Sequence, residues 1–277
     1  MTTLITGATG AIGASLVRRL SSAGLAVRAG SRDPRQVARS EAEVVELDLT
    51  EPNTFGDALL NVDRVFLYAE PAAIDQFVES AERAGVRRVV LLSSDSVEVV
   101  DPESNALARR HAEVEKALTS AAFDTTVLRP ATFATMTLGW ASFIRSGVPV
   151  EQASWEARLD IIHPEDIADV AQLALENDEF GGSIIRLGGP EMQSFNGYLR
   201  VLEGVLGRHL EYQEPSRERA AAQLADHVPK PLIHALLEYW ERLPRHDGKA
   251  NRSAERFTGR PGRTFHQWAT SQLAFFR

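Results

Sequence analysis

The stretch Leu4-Ile5-Thr6-Gly7-Ala8-Thr9-Gly10-Ala11-Ile12-Gly13 decides the fold. It opens on a short apolar run, Thr3–Thr6, and closes where a segment of helical period, Ala11–Ser22, begins. Three glycines between a strand and a helix build a turn whose backbone N–H groups can approach a pair of phosphates. Gly7 permits the tight turn off the strand, and Gly13 lets the helix lie close against it. This context predicts a dinucleotide cradle, not a turn that serves chain reversal alone.

Beyond this stretch, short strand-like runs alternate with helical segments: Ala26–Ala29, Val44–Leu47, Arg64–Tyr68 then Ala72–Ala84, Arg88–Leu92 then Asn105–Ala121, and Thr125–Leu128. Such alternation implies crossover connections and a doubly wound α/β parallel sheet of the Rossmann kind. Gly24 and Gly85 stand where helices should end. The rhythm changes after Pro130, where residues 133–158 lack clean periodicity. Pro164–Glu176 reads as a helix, Ser183–Leu187 as a strand rejoining the sheet, and Gln193–Leu206, Arg217–Leu224 and Pro231–Leu243 as helices of a smaller C-terminal lobe. The expected division is a core of residues 1–133 joined by 160–188, with 134–159 and 189–277 forming the substrate lobe.

The 277 residues are 44% hydrophobic and 25% charged, enough apolar material for a large core. A net charge of -8 argues against nucleic acid or an anionic membrane as partner. The chain has no cysteine, hence no disulfide framework and no thiolate nucleophile or metal site. It begins directly in a strand with no signal-like segment, so a cytoplasmic protein, monomer or homodimer, acting on a small molecule is the expectation.

The second strand speaks to the form of the dinucleotide. An acidic residue at its end would bind a ribose 2′-hydroxyl, but this strand ends Arg28-Ala29-Gly30-Ser31-Arg32. Ser31 and Arg32 offer a hydroxyl and a planar cation to a 2′-phosphate, with Arg35 a possible second cation, so NADP(H) is expected. Asp48, ending the third strand, is expected to reach the adenine amino group.

Together the glycine stretch, Ser31-Arg32-Asp33-Pro34, Asp48-Leu49, Val65-Phe66-Leu67-Tyr68, Leu92-Ser93-Ser94, His111-Ala112-Glu113-Val114-Glu115, Leu128-Arg129-Pro130, Asp166-Ile167-Ala168, Leu187-Gly188-Gly189-Pro190 and Thr258-Gly259-Arg260-Pro261 carry a resemblance. The chain resembles the atypical short-chain dehydrogenase/reductase superfamily, in its NmrA-like NAD(P)-binding branch. That branch includes proteins similar to NADPH quinone and triphenylmethane reductases. The resemblance implies cofactor contacts from Gly7, Thr9, Gly10, Ala11, Ile12 and Gly13, from Asp48 and Leu49, and from Tyr68-Ala69-Glu70 along the diphosphate and ribose. It further implies that Ser93, Ser94 and Pro130 lie near the nicotinamide.

One family feature is missing. Short-chain dehydrogenases usually protonate substrate oxygen with a Tyr activated by a Lys four residues on. Alignment on Glu115 puts Leu107 at the Tyr position and His111 at the Lys position. His111 is the titratable candidate for ribose binding or for acid–base work near neutral pH. Tyr68 and Ser94 are further candidates for catalytic contact.

Phe133, Trp140 and Trp155 fall in the insertion expected to form a substrate pocket suited to a planar molecule, or to serve packing. His163-Pro164-Glu165-Asp166 reads as helix entry rather than a metal cluster, and no metal site is expected. Arg87-Arg88 reads as a solvated edge. Phe265, Trp268, Leu273 and Phe276 read as a docked amphipathic helix.

Three functions are compatible with these residues. The first is NADP(H)-dependent reduction of a conjugated small molecule (quinone, enone or polyaromatic acceptor), where loss of the tyrosine matters least. The others are an NADP(H)-sensing regulator, and a non-redox cyclase, isomerase or dehydratase on the same fold.

Overall fold

The computed structural model describes residues 1–37, 42–225, 228–246 and 248–277. In chain order the elements are β1 (Thr2–Ile5), α1 (Ala11–Ser22), β2 (Ala26–Ser31), β3 (Glu43–Glu46), α2 (Phe55–Leu59), β4 (Arg64–Tyr68), α3 (Ile74–Ala84), β5 (Arg88–Leu92), α4 (Ser96–Val99), α5 (Ala106–Thr119) and β6 (Asp124–Pro130). Then follow α6 (Ala141–Ser146), β7 (Val150–Glu151), β8 (Arg158–Leu159), α7 (Pro164–Glu176), β9 (Ile184–Leu187), β10 (Gln193–Ser194), α8 (Phe195–Leu206), β11 (Tyr212–Gln213), α9 (Arg217–Leu224), α10 (Lys230–Arg242), α11 (Ser253–Thr258), α12 (Phe265–Ser271) and α13 (Leu273–Phe276).

Seven strands form one parallel sheet in the order β3-β2-β1-β4-β5-β6-β9, a doubly wound α/β arrangement. Winding reverses between β1 and β4, and the crevice outside their C-terminal ends is where such sheets bind ligands. The central strands are buried on both faces: Leu4, Ile5, Val65, Phe66, Val89 and Val90 have no accessible surface. Edge strand β3 reads Glu-Val-Val-Glu and stays largely exposed, as an edge should.

The chain divides into two compact units. One comprises 1–94, 110–129 and 167–186, and the other 95–109, 130–166 and 187–277. The second unit thus takes 95–109, 130–133, 160–166 and 187–188 beyond the sequence-based division. Residues 95–109 go there because Asn105 bonds the Ala235 carbonyl and Glu238, and the Tyr239 hydroxyl donates to Asp95 at 2.8 Å.

Arg88 corrects the expectation of a solvated edge. Arg87 is exposed beside Asp63, but Arg88 is 5% exposed and reaches Asp178 at 2.6 Å with the carbonyls of Ala174 and Leu175 alongside. A cation at the C-terminal end of α7 meets the negative end of that helix dipole, which accounts for its burial. Arg28, also buried, bonds Glu43 and the carbonyls of Asp57, Ala58 and Leu60, tying β2 and β3 to α2. His163 leads into α7 as the sequence implied, its Nδ1 accepting from Glu165 N–H.

The C-terminal unit has its own core, built on Trp140, Trp155, Phe195, Tyr198, Trp240, Phe265 and Trp268. Phe265, Trp268 and Phe276 are buried, but the expected single helix breaks at Gln272 into α12 and α13. No described helix is long and apolar enough to cross a membrane.

Candidate functional site

The glycine turn sits at the C-terminal end of β1. Gly7 has φ +59°, and Gly10 N–H bonds the Gly7 carbonyl at 2.9 Å. A Cβ on Gly13 would fall 2.3 Å from the Gly7 oxygen, so the start of α1 rests directly on the turn. Gly10 caps α1 with no side-chain hydrogen bond, and the first turn holds no acidic residue. The N–H groups of Ala11 and Ile12, which helix geometry leaves without intrahelical acceptors, therefore remain for an anionic ligand.

Beside this turn lies a cleft of about 350 Å³ lined by Thr6, Gly7, Thr9, Ser31, Arg32, Leu47, Asp48, Leu49, Thr50, Tyr68, Ala69, Glu70 and Arg110. Nine residues expected to touch a dinucleotide are among them: Gly7, Thr9, Ser31, Arg32, Asp48, Leu49, Tyr68, Ala69 and Glu70. The cation Arg32 in the cleft, with the orphan N–H donors of the adjoining helix start, fits a phosphate-bearing nucleotide. A Cβ on Gly7 would strike the Tyr68 ring at 2.7 Å, so the floor is already close-packed where phosphates would approach.

The polar groups of the cleft are held by short local bonds. Asp48 accepts from Thr50 N–H at 2.9 Å and from the Thr50 hydroxyl at 2.8 Å, which with nearby Arg32 holds its carboxyl below the usual carboxylate range. Ser31 Oγ donates to the Asp33 carbonyl and accepts from Asp33 N–H, closing a turn. Arg35 folds onto Asp33 at 2.8 Å in the open. Arg32 makes no hydrogen bond among the described residues.

Tyr68 lies across the turn with its hydroxyl bonded by the Gly13 backbone, and burial pushes the phenol up to about 12. It is protonated throughout the physiological range. Arg110, which the sequence reading passed over, donates to Glu70 at 2.7 Å and to the Ala69 carbonyl at 3.0 Å. Only its place in the pair Arg109-Arg110, one residue before His111, hinted at it.

On α5, His111 is largely buried and its Nδ1 has no partner. Burial, followed by the charge of Arg110, lowers its pKa to about 4. That displaces the expected near-neutral titration: the imidazole is uncharged at working pH. Leu107, one turn earlier, packs against the C-terminal core. Ser93 donates to Glu115 at 2.5 Å, Glu115 pairs with Arg129, and Pro130 belongs to the C-terminal unit.

A second cavity, about 260 Å³, lies inside the C-terminal unit. Trp140 lines it, while Phe133 and Trp155 do not. Trp155 is 3% exposed, its indole donates to the Gln213 carbonyl at 2.9 Å, and its ring packs on Trp140 and Tyr212. Phe133 is only partly buried and bridges to Ile162.

Residues 7–178 match the model of a family described as NAD(P)H-binding. The chain is 35% identical over 280 residues to the (4-alkanoyl-5-oxo-2,5-dihydrofuran-3-yl)methyl phosphate reductase of Streptomyces griseus, covering 99% of this chain and 98% of the relative. It is 28% identical to the NAD(P)H azoreductase of Xenophilus azovorans, covering 99% and 98%. Among solved structures, an NADPH-dependent quinone oxidoreductase from Escherichia coli complexed with NADPH superposes with a TM-score of 0.81 at 20% identity, covering 98% of this chain and 99% of that one.

Proposed function

Because the chain belongs to the NAD(P)H-binding family, we propose that it is an NADPH-dependent reductase whose acceptor is a carbon–carbon double bond conjugated to carbonyl oxygen. The observation that carries the reading is on α5, where Leu107 stands in place of a proton-donating tyrosine, and beside it burial lowers the pKa of His111 to about 4. An isolated ketone needs a proton donor at the developing alkoxide. A conjugated acceptor does not, because charge left by attack at carbon spreads into the carbonyl.

The S. griseus relative is named for a substrate of this kind. Its 5-oxo-2,5-dihydrofuran ring carries an alkanoyl group on the carbon next to the ring carbonyl. Reduction of that ring double bond leaves an enolate flanked by two carbonyls, weakly basic enough to take its proton from water.

The residues divide the work of binding. Arg32 and Ser31 would hold the 2′-phosphate, the N–H groups of Ala11 and Ile12 the diphosphate, and Asp48 the adenine amino group. Tyr68, kept protonated, can donate its O–H to a phosphate oxygen while accepting from Gly13. Bound NADPH supplies the hydride from its nicotinamide C4. The neutral His111 has one N–H to give and can orient a ribose or carbonyl oxygen without titrating.

The test is NADPH oxidation, followed by absorbance at about 340 nm, with acyl dihydrofuranones, enones, quinones and plain ketones. Conjugated acceptors are expected to turn over and plain ketones not. With deuterium at nicotinamide C4, the label should appear on the carbon β to the carbonyl. Binding of NADPH with no turnover of any conjugated acceptor overturns the reading.

A further inference from the structure

The cavity inside the C-terminal unit is bounded by Trp140, Phe195 and Trp240, with aliphatic wall from Leu224, Ala153 and Ala220. Its aromatic rings are already engaged with one another. Phe195 meets Trp140 edge-on at 6.2 Å and Trp240 edge-on at 5.7 Å. Phe195 therefore stands steeply to both indoles and forms no parallel sandwich with either, and the aliphatic side chains beside these rings give a flexible alkyl guest its contacts.

The longer polar side chains in the wall, Glu151, Gln152 and Gln223, are already hydrogen-bonded. Glu151, 5% exposed, accepts from Arg219, from Gln223 and from Gln213. Its charge is matched by the Arg219 guanidinium, and a cationic guest finds no free carboxylate there. Gln152 takes the Trp140 indole N–H at 3.1 Å and donates to the Ala153 carbonyl at 2.9 Å. The Trp240 indole nitrogen has no partner but is shut off from solvent, so it adds no polar surface to the lumen. The rim carries the exposed Met136, Gly139 and Ser142 and leaves a mouth.

We propose that this cavity binds the alkyl chain of an acyl group carried by the acceptor. The proposal rests on the reductase reading only in assigning the chain to the acceptor. At about 30 Å³ for a water-sized group, 260 Å³ accepts a chain of about eight carbons. A wall whose Glu151 carboxylate is already paired with Arg219, and whose rings and methyl groups offer dispersion contact, selects by length.

The test uses saturated γ-lactones with acyl arms from acetyl to dodecanoyl, which cannot be reduced, titrated calorimetrically into the protein saturated with NADP⁺. Affinity should rise about fourfold per methylene, the ~0.8 kcal/mol of a buried CH₂, and level off near eight carbons. Ala220→Leu and Ala153→Leu each push an isobutyl group into the lumen and should move the levelling point to shorter chains.

Affinity independent of chain length overturns the proposal. So does an unmoved levelling point in a variant that keeps the parent melting temperature, or, if neither variant does, a parent profile that fails to level near eight carbons. Binding is read without hydride transfer, so the failures separate. Chain-length dependence with no turnover of the unsaturated series sinks the reductase reading alone, and turnover with no chain-length dependence sinks the cavity assignment alone.

Discussion

Ser93 Oγ donates a 2.5 Å hydrogen bond to Glu115 Oε1, and the same carboxylate is held by Arg129 through both Nε and Nη2. The end of β5, helix α5 and strand β6 thereby meet at one buried carboxylate. The Ser93 hydroxyl proton is committed to Glu115, so Ser93 acts as a brace for the strand end. Replacing Glu115 by Ala takes this carboxylate from Arg129, whose side chain is 14% exposed, and losing one partner of a largely buried pair costs roughly 3 kcal/mol. The melting temperature should fall by roughly 6–12 °C, and Glu115→Gln, which still accepts from Ser93, should lose about half as much. Thermal unfolding followed by circular dichroism checks both, and an unchanged E115A melting curve would remove the brace.

Much of this was legible beforehand, for reasons that lie in particular residues. The ranges of α1, β4, β5 and α7 follow from apolar period and punctuation, because their buried faces are continuous and Gly or Pro stands near their ends. The cleft residues Ser31, Arg32 and Asp48 were readable because strand ends in a parallel sheet converge on the crevice. Arg88 was not, since its acceptors lie at and just after the C-terminal end of α7, far along the chain, and local pattern carries no trace of a distant helix C-terminus. The same holds for Arg110 and Glu70, and for the lowered pKa of His111, which depends on burial first and on the charge of Arg110 second. Trp155 read as pocket lining because an indole in an irregular insertion looks the same whether it faces a ligand or the Gln213 carbonyl.

Gly13 and Gly56 make a matched pair of tests. A Cβ on Gly13 would lie 2.3 Å from the Gly7 carbonyl oxygen, backbone against backbone, and the turn must open to admit it. Gly13→Ala should lower the melting temperature and weaken NADPH binding by at least about tenfold, since the orphan N–H groups move with the turn. Gly56, in α2, has nothing within 4 Å of an added Cβ, and Gly56→Ala should be neutral or stabilise by up to ~1 kcal/mol. Calorimetric NADPH titration beside melting curves reads both, and equal effects at the two positions would contradict the cradle.

Arg32 and Arg35 differ in what they are free to hold. Arg35 is exposed and closed on Asp33, whereas Arg32 lines the cleft. Loss of a charge-assisted bond to the 2′-phosphate costs about 1.5–3 kcal/mol. Arg32→Ala should therefore raise the dissociation constant for NADPH by roughly 10–100-fold and leave that for NADH within about twofold. Arg35→Ala should change either by less than about threefold, the screened, exposed pair contributing little. Titration with both nucleotides is the check, and equal losses for NADPH and NADH in R32A would refute 2′-phosphate recognition by Arg32.

His111 makes stability depend on acidity in a direction fixed by its burial. Its pKa is about 4 in the folded protein against an ordinary 6.5. Above pH 6.5 neither state binds the proton, and the residue contributes no pH dependence. Between about 6.5 and 4 the unfolded chain takes up a proton that the folded protein refuses, so stability falls as pH falls. Near pH 4 the folded protein begins to protonate, and the loss levels off. At 1.36 kcal/mol per unit, the full interval bounds the effect at about 3 kcal/mol. Replacing His111 by Asn, a neutral amide, should leave stability near pH 7 within about 1 kcal/mol of the parent and flatten the decline between pH 6.5 and 4. Urea melts of both proteins across that range decide the matter. A parallel decline in parent and H111N would mean that the imidazole titrates alike in both states, and it would return His111 to acid–base candidacy near neutral pH.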